Sequence, residues 1–408
     1  MRVWAAWLAA AACCWSQGFS HRGLLDTRLV AYPQTAPGDS GRAVAESLLR
    51  YEAFYRISPR WQVAGAFDAR ADTHHYTQRS WGLAWQDRTR RRPAFAARRM
   101  SAIYQRGRLT AEVGKQFIRW GKADVLNPTD RFAPRDFLAV VDNEFLAVNA
   151  ARLTYGSAAD TLDLVWSPRF TPSRIPLLNQ RWLVLPEGLP EGLRLRDAGS
   201  RFPGGSQFGV RWNHVGSGFD SSVCYYEGFN HLPQIDARLL GLFPLRVELE
   251  SYYPRLRMYG GDAALPLPWF TVKAEAGYFT SRTRRSQQYL LYVVQLERQA
   301  GEWFLVGGYA GEAVTAGPSS PGFDVERGLT RAFLARAGYT IDANRSLALE
   351  AAVRQNGKGA WTRLEYSQAW GQHWRSTAAL TWIRGQPDDF LGQYHRNSHV
   401  SVVVRYSF

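Results

Sequence analysis

The last nine residues, 400–408, place the tightest constraint on how this chain folds. Every second residue there is apolar, so one face of the segment carries Val400, Val402, Val404, Tyr406 and Phe408. The other face carries Ser401, Val403, Arg405 and Ser407. Because side chains of a β-strand alternate between its two faces, this period of two predicts a strand with one apolar face and one polar face.

The same alternation recurs along the chain. In residues 270–278, Lys273 and Glu275 share one face and apolar residues fill the other. In residues 347–354, Glu350 opposes an apolar face in the same way. A charge on a lipid-facing position would cost about 2–4 kcal/mol near the bilayer midplane, whereas a water-filled lumen accepts it. The pattern therefore predicts an all-β, up-and-down antiparallel transmembrane barrel with an aqueous interior.

Short and long connections alternate between these segments. Short turn signals lie at 58–60, 106–107, 157–160, 217–218, 301, 342–344 and 371–372. Longer polar or proline-rich stretches lie at 74–93, 122–148, 171–205, 230–245, 317–327 and 387–396. Tight turns on one rim and long loops on the other are typical of transmembrane barrels, with the tight turns on the periplasmic side.

The spacing of these connections predicts about 18 strands, with 24–32 as the first. An even count places both chain ends on the periplasmic rim, with Phe408 facing lipid and Arg405 facing the lumen. A count of 16 stays open, because 24–32 and 246–265 alternate poorly. We expect one domain, residues 19–408, without a linker.

Residues 1–18 have the pattern of a cleaved signal peptide. Arg2 precedes an apolar run over 3–15, and small residues follow up to Gly18. The run is shorter than the roughly 20 residues that a membrane-spanning helix needs. A lipoprotein signal ending at Cys13 stays open as an alternative. Cleavage after Gly18 would leave Cys224 as the one cysteine, which excludes a disulfide within the chain.

Composition supports an exported barrel. Aromatic residues make up 14% of the chain, with 16 Trp and 19 Tyr, and barrels concentrate such residues at the two membrane interfaces. The mature chain has no further apolar run near 18 residues, so a helical membrane protein is excluded. The formal net charge of +15 indicates anionic partners.

Two segments resemble known families. Residues 114–130 read GKQFIRWGKADVLNPTD. This G-[KR]-Q-x3-W-G-x-x-D pattern with a following N-P-x-D resembles poorly characterised bacterial outer-membrane porin-like families, including those near alginate-export channels. The resemblance implies a passive channel. The aromatic-x-aromatic ending on Phe408 resembles the assembly signal of Gram-negative outer-membrane barrels, and implies recognition by the barrel-assembly machinery.

The loop after residue 116 is the first candidate pore element. We expect it to fold into the lumen and to narrow the pore, or, in the simpler alternative, to cap turns. Its candidate constriction residues are Arg119, Asp124, Asn127, Asp130, Arg131, Arg135, Asp136, Asp142 and Glu144. Lys115 and Arg119 share parity with apolar neighbours, so we expect a β-bulge near Gly114.

The lumen wall is the second candidate pore element. The basic residues on the inward face are Arg50, Arg56, Arg152, Arg211, Lys273, Arg336, Arg354, Arg363, Arg375 and Arg405. The acidic residues among them are Glu46, Glu52, Glu112, Asp163, Glu275, Glu350 and Glu365. Mutual pairing is the default for such charges. The excess of arginine favours anions, while the loop clusters 88–92 and 194–201 suit phosphates of outer-leaflet lipopolysaccharide.

The leading functional hypothesis is an outer-membrane channel for passive diffusion of small hydrophilic solutes with a preference for anions. A barrel that encloses a partner protein is one alternative, and an outer-membrane hydrolase is another. For the hydrolase, His214, His231 and His395 are candidates that nothing in the sequence brings together. His74 and His75 lack a third metal ligand at suitable spacing. We therefore expect no enzyme activity, no cofactor, no metal and no nucleic-acid binding, and an oligomer is possible.

Overall fold

The structure is a computed structural model, which describes residues 18–124, 126–178, 180–184, 190, 192–242, 245–283, 286–318 and 323–408. The expected signal peptide falls outside these residues except for Gly18 and stays a prediction. Among the described residues, no helix is both long enough and apolar enough to cross a membrane.

Within the described residues, eighteen antiparallel strands form one closed barrel. In chain order they are β1 (Phe19–Ala31), β2 (Ala43–Arg56), β3 (Trp61–Asp72), β4 (Phe95–Arg106), β5 (Leu109–Gln116), β6 (Val148–Gly156), β7 (Asp160–Ser167), β8 (Gln207–Val215), β9 (Asp220–Phe229), β10 (Arg255–Pro266), β11 (Thr271–Thr280), β12 (Gln288–Ala300), β13 (Trp303–Ala316), β14 (Ala332–Thr340), β15 (Arg345–Arg354), β16 (Gly359–Trp370), β17 (Trp374–Gly385) and β18 (His399–Ser407). Each strand pairs with its neighbour in sequence, and β18 pairs with β1. The predicted barrel of 18 strands is confirmed.

The outer and inner faces alternate as the sequence predicts. On β18, Val400 and Val402 are 49% and 40% exposed on the outer face. Ser401 between them is 2% exposed, and Arg405 forms an inward ion pair with Asp26 of β1 at 2.7 Å. On this strand residue parity therefore separates the lipid-facing side chains from the lumen-facing ones.

Two of the long connections combine into a small separate sheet that the sequence pattern did not predict. The region 230–254 rises as a hairpin of Gln234–Leu242 and Leu245–Tyr252, and Arg194–Arg201 adds to it as a third, parallel strand. This hairpin explains why 246–265 alternates poorly. Pro254 has no N–H to donate, so the ladder is interrupted between Tyr252 and Arg255.

The seam between β1 and β18 depends on Gly23. Its N–H donates to the Phe408 carbonyl at 2.7 Å, and the Phe408 N–H donates back at 3.0 Å. A Cβ on residue 23 would lie 2.3 Å from Cζ of Phe408. Only a residue without a side chain lets the terminal ring lie flat on β1.

Gly23→Val is therefore expected to destabilise the barrel by about 1–3 kcal/mol, because the Phe408 ring must move off the seam. The measurement is the temperature at which the folded band disappears on a semi-native gel. Gly307→Val is the matched control, since no heavy atom lies within 4 Å of a Cβ at that strand position. Equal melting of the two variants would contradict a role for Gly23 in closure.

Candidate functional site: a lumen narrowed by a latched loop

The connection between β5 and β6, residues 117–147, folds into the barrel and is called the lumen loop here. One part of it contacts β11 and β12, and another part contacts β2, β3 and β4. These strands lie on different sides of the barrel, so the loop crosses the lumen. The loop therefore enters the lumen, and its role as the constriction of the pore stays a prediction.

Glu275 of β11 latches the first part of the loop. Its carboxylate accepts the N–H groups of Lys122, Ala123 and Thr129 at 2.9, 3.1 and 2.9 Å, and the Thr129 hydroxyl at 2.8 Å. Glu275 is 2% exposed. The approach is so close that a Cβ on Gly121, which has φ +87°, would lie 2.6 Å from Oε1 of Glu275. A glycine is required there.

The remaining motif residues also anchor the loop. Trp120 is buried, and its indole N–H donates to Asp163 of β7 at 3.0 Å. Asp130 accepts the Trp120 backbone N–H at 3.0 Å and Arg119 at 2.7 Å. Burial raises the pKa of Asp130 to about 6 in spite of these partners. The W-G-x-x-D and N-P-x-D elements thus hold the loop, and Asp130 does not face solute.

The expected bulge near Gly114 is absent, since the register is continuous on both sides of this residue. Gly114 instead has φ +126°, and a Cβ there would lie 2.3 Å from the Met100 carbonyl. The local twist turns Lys115 away from lipid into a buried site, where its ammonium contacts Asp87 and the Ala97 carbonyl, each at 2.6 Å. The positive φ of Gly114 therefore accompanies the change in the direction of the Lys115 side chain, which the sequence analysis had attributed to a β-bulge.

Glu144 fixes the far end of the lumen loop. Its carboxylate contacts Arg50 at 2.8 Å, Arg70 at 2.5 Å and Arg98 at 3.4 Å. Asp68 of β3 pairs with the same three arginines at 2.7, 3.0 and 3.6 Å. Burial alone would raise the pKa of Glu144, but Arg70, Arg98 and Arg50 outweigh it and hold the pKa well below its usual range.

Other loop charges are also neutralised inside the protein. Asp136 is 1% exposed and pairs with Arg92 and Arg174, each at 3.0 Å. Arg131 is buried and pairs with Glu326 of the loop before β14 at 2.8 Å. These geometries differ from the expectation of charges presented to solute, because burial makes pairing necessary. Asn127 is buried as well, and Asp142 contacts Arg28 of β1.

Two further loops pack against the lumen loop. Phe323, just before the short helix Val325–Gly328, contacts the ring of Phe137 at 5.8 Å. The loop before β18 contains the 3-10 helix Gly392–Asn397. An apolar cluster on the long-loop side of the lumen joins these loops to strand residues and to other long connections: Val30, Tyr32, Val44, Tyr76, Phe137, Leu138, Val140, Trp182, Leu232, Val325, Ile383 and Tyr394.

A cavity of about 230 Å³ separates the lumen loop from the wall of β14 to β17. Its apolar lining includes Phe137 and Trp361, and its charged lining includes Arg135, Arg336 and Glu350. Asp124, which exchanges hydrogen bonds with Gln295 of β12, borders the same space. The lining therefore combines apolar and charged groups, as sites for small solutes do.

Arg135 is the most notable cation of the cavity. Its guanidinium donates to Asn143 at 3.2 Å and lies 4.3 Å from the Phe145 ring centre, while Arg119 stacks on the same ring at 3.6 Å. Within the described residues, no carboxylate lies at ion-pair distance from Arg135. Burial lowers its pKa from the ordinary value, and the charges of Arg119 and Arg131 add to this, while the carboxylates of Glu326 and Asp130 oppose it.

The wall cations are mostly paired, which was the default expectation. Arg152 pairs with Asp163 at 2.7 Å, Arg336 with Glu350 at 3.3 Å and Arg354 with Asp389 at 3.0 Å. The other wall candidates contact neighbouring polar groups: Lys273 contacts Glu297, Arg363 contacts Glu365 and Arg375 contacts the Ser367 hydroxyl. Their contact with solute stays a prediction.

Sequence reasoning missed several residues that shape this site. Arg70 and Arg98 hold Glu144, and Trp361 lines the cavity. Residue parity would have placed Trp361 on the inward face, since it lies two residues from Arg363 on the same strand. Parity does not reveal that Glu275 holds the loop, because the loop residues that it binds are about 150 positions away.

The histidines considered for hydrolysis lie apart. His214 contacts Asp160 at 2.9 Å on the short-turn rim, whereas His231 is buried between the carbonyls of Thr171 and Arg131 on the other side. His74 pairs with Asp39 at 2.7 Å. Over the described ranges, no group of three or more His, Cys, Asp or Glu residues could hold a metal ion.

Known structures share this architecture, although no protein-family model and no curated sequence matches the chain. OccAB4 of Acinetobacter baumannii and a BenF-like porin of Pseudomonas fluorescens Pf-5 each have a TM-score of 0.56 and 8% identity. OccK3 (OpdO) of Pseudomonas aeruginosa has a TM-score of 0.55 and 10% identity. Each comparison covers 96% of this chain and 98% of the other.

The chain has the fold of an outer-membrane porin. At such low identity the likeness shows the fold alone. The porin-like resemblance of the sequence is therefore confirmed at the level of the fold. Its closeness to alginate-export channels finds no support in these structures, which are of the Occ/OprD type.

Proposed function

We propose that the protein is a channel in the bacterial outer membrane through which small hydrophilic solutes diffuse passively, with a preference for anions. A closed barrel with an apolar outer face and a charged lumen supports the location and the class. The latched lumen loop supports selectivity, because it fills part of the lumen and leaves a cavity beside β14 to β17.

The observation that carries the proposal is the cavity beside Arg135. This guanidinium lines the cavity and forms no ion pair with a described carboxylate, while Arg336 pairs with Glu350 at 3.3 Å and Glu326, also in the lining, pairs with Arg131 at 2.8 Å. A lining cation without an ion-pair partner raises the local concentration of anions. The apolar side chains of Phe137 and Trp361 suit solutes with a carbon skeleton.

The alternatives receive less support. A barrel that encloses a partner polypeptide would have to expel its own lumen loop, and that loop is held on two sides by Glu275 and by the arginines around Glu144. A hydrolase would need its nucleophile and base on one rim. The candidate histidines His214 and His231 lie on opposite rims.

The test is single-channel recording in planar bilayers with a salt gradient across the membrane. We expect steady conductance and a reversal potential that indicates anion selectivity. Arg135→Gln is expected to lower the anion-to-cation permeability ratio by roughly twofold, because it removes a lining cation that forms no ion pair. Arg108→Gln is the control, since it removes the same charge from an exposed turn on the short-turn rim.

Absence of conductance would reject the channel. Cation selectivity of the native protein, or equal ratios for the two variants, would reject the anion preference and leave a general channel.

A further inference from the structure

Charged side chains occupy the outer, lipid-facing surface of β9 and β10 near the long-loop rim. Cys224, Tyr226, Leu256 and Met258 point inward and are buried. By alternation their neighbours point outward. We call the outward set the rim patch: Tyr225, Glu227, Arg255, Arg257 and Tyr259.

Two arginines of the rim patch share one carboxylate. Glu227 contacts Arg257 at 3.0 Å and Arg255 at 3.3 Å. The Arg255 side chain is 56% exposed, so much of its guanidinium is free for a further acceptor. Arg282 is also exposed. It lies beside the patch, because the hydroxyl of the preceding Ser281 donates to the Arg255 carbonyl at 2.5 Å. The patch therefore has an excess of positive charge.

The position of the rim patch along the barrel is defined by its tyrosines. The ring centres of Tyr225 and Tyr259 lie 5.2 Å apart on the outer face. Each tyrosine lies two residues along its strand from a charged residue of the patch, on the side away from the long-loop rim. Such rings mark the membrane interface in barrels. An outward arginine costs about 2–4 kcal/mol at the bilayer midplane but about 0–1 kcal/mol near the interface. The arginines therefore lie at the level of lipid headgroups, on the rim that carries the long loops.

The basic clusters 88–92 and 194–201, which suit lipid phosphates by their sequence, differ in exposure: the Arg92 side chain is 13% exposed, whereas Arg196 and Arg201 are 73% and 60% exposed. Their contact with lipid stays a prediction. Arg92 points into the protein, towards Asp136 and Glu46. Arg90 pairs with Asp197, and Arg196 lies 3.7 Å from Glu248 in the raised hairpin sheet. The rim patch, which the sequence did not single out, is continuous with the lipid-facing wall.

We propose that the rim patch binds the phosphorylated headgroup of an outer-leaflet lipid of the lipopolysaccharide type. A guanidinium matches two phosphate oxygens at once, and two arginines that share one carboxylate retain donors for such a group. Tyrosine rings below them contact the glycolipid where sugar meets acyl chain. This inference rests on the proposed outer-membrane location and not on conductance, so a sealed barrel would leave it intact.

The test is native mass spectrometry of the detergent-purified protein titrated with bisphosphorylated lipid A and with a phosphate-free lipid that has the same acyl chains. The native protein is expected to bind the phosphorylated lipid about tenfold more tightly. Arg255→Gln/Arg257→Gln is expected to lose this preference. Arg298→Gln/Arg345→Gln is the matched control, because it removes two exposed arginines at the short-turn side.

Glu227→Gln tests the same site in the opposite direction. It leaves both arginines in place and removes their competing carboxylate, so phosphorylated lipid is expected to bind several-fold more tightly. This result does not depend on whether the double variant folds. The proposal is overturned if the native protein does not distinguish the two lipids. It is equally overturned if the rim variants bind like the control, or if millimolar inorganic phosphate alone displaces the lipid.

Discussion

Glu275→Gln is expected to release the lumen loop from β11 and to increase the single-channel conductance. In the native protein one buried carboxylate accepts three backbone N–H groups and a hydroxyl. Hydrogen bonds to a charged acceptor contribute about 1.5–3 kcal/mol each. The amide of glutamine keeps one acceptor oxygen and turns a donor towards the remaining N–H groups, so we expect a loss of about 3 kcal/mol of unfolding free energy.

The measurements for this variant are conductance and current noise in planar bilayers and urea unfolding in lipid vesicles. Glu350→Gln is the matched control, because it removes one lumen carboxylate of the neighbouring wall that pairs with Arg336 and holds no loop backbone. We expect the control to change selectivity and to leave stability nearly unchanged. Equal conductance and stability for both variants would show that Glu275 does not latch the loop.

Glu144→Gln is expected to have the second large effect, at the other end of the loop. Glu144 lies among Arg50, Arg70 and Arg98, and its loss leaves Asp68 to balance three partly buried cations. Breaking a buried ion-pair network by removing one partner costs about 3–5 kcal/mol. The surplus positive charge beside the lumen is also expected to strengthen anion selectivity.

The pKa of Glu144 predicts the pH dependence of this effect. Because the folded-state pKa lies below the ordinary value of 4.5, Glu144 contributes its stability above that pH. The contribution is lost as the pH falls below it. The native protein and the variant should therefore differ in unfolding free energy at pH 7 and converge under strongly acidic conditions.

Glu52→Gln is the control for this network. It removes a wall carboxylate whose partner, Arg22, is 71% exposed, and such pairs contribute about 0–1 kcal/mol. If Glu144→Gln and Glu52→Gln lower the unfolding free energy by the same amount, the network around Glu144 does not hold the loop.

Much of the site was accessible from local patterns. Parity placed Arg50, Arg152 and Arg354 on the inner face of the wall, and the long segment after Gln116 indicated a loop that enters the lumen. The same reasoning treated Asp130, Arg131 and Asp136 as charges offered to solute. Their burial follows from partners on other strands and loops, such as Glu326 and Arg174, which no local pattern connects to them.

The sequence by itself determined the barrel and the face of most strand side chains, because alternation within a strand depends only on neighbouring residues. It also indicated about 18 strands and left 16 open. The alternation in residues 400–408 identifies a barrel strand without reference to any distant contact, and the structure pairs this strand with β1. Only the tertiary structure decided how the lumen is used. Glu275 and Glu350 are equivalent by parity, yet one holds the backbone of Lys122 and Thr129 and the other borders the cavity. The physical reason is that alternation is a property of neighbouring residues, whereas the latch joins groups that only barrel closure brings within hydrogen-bond distance.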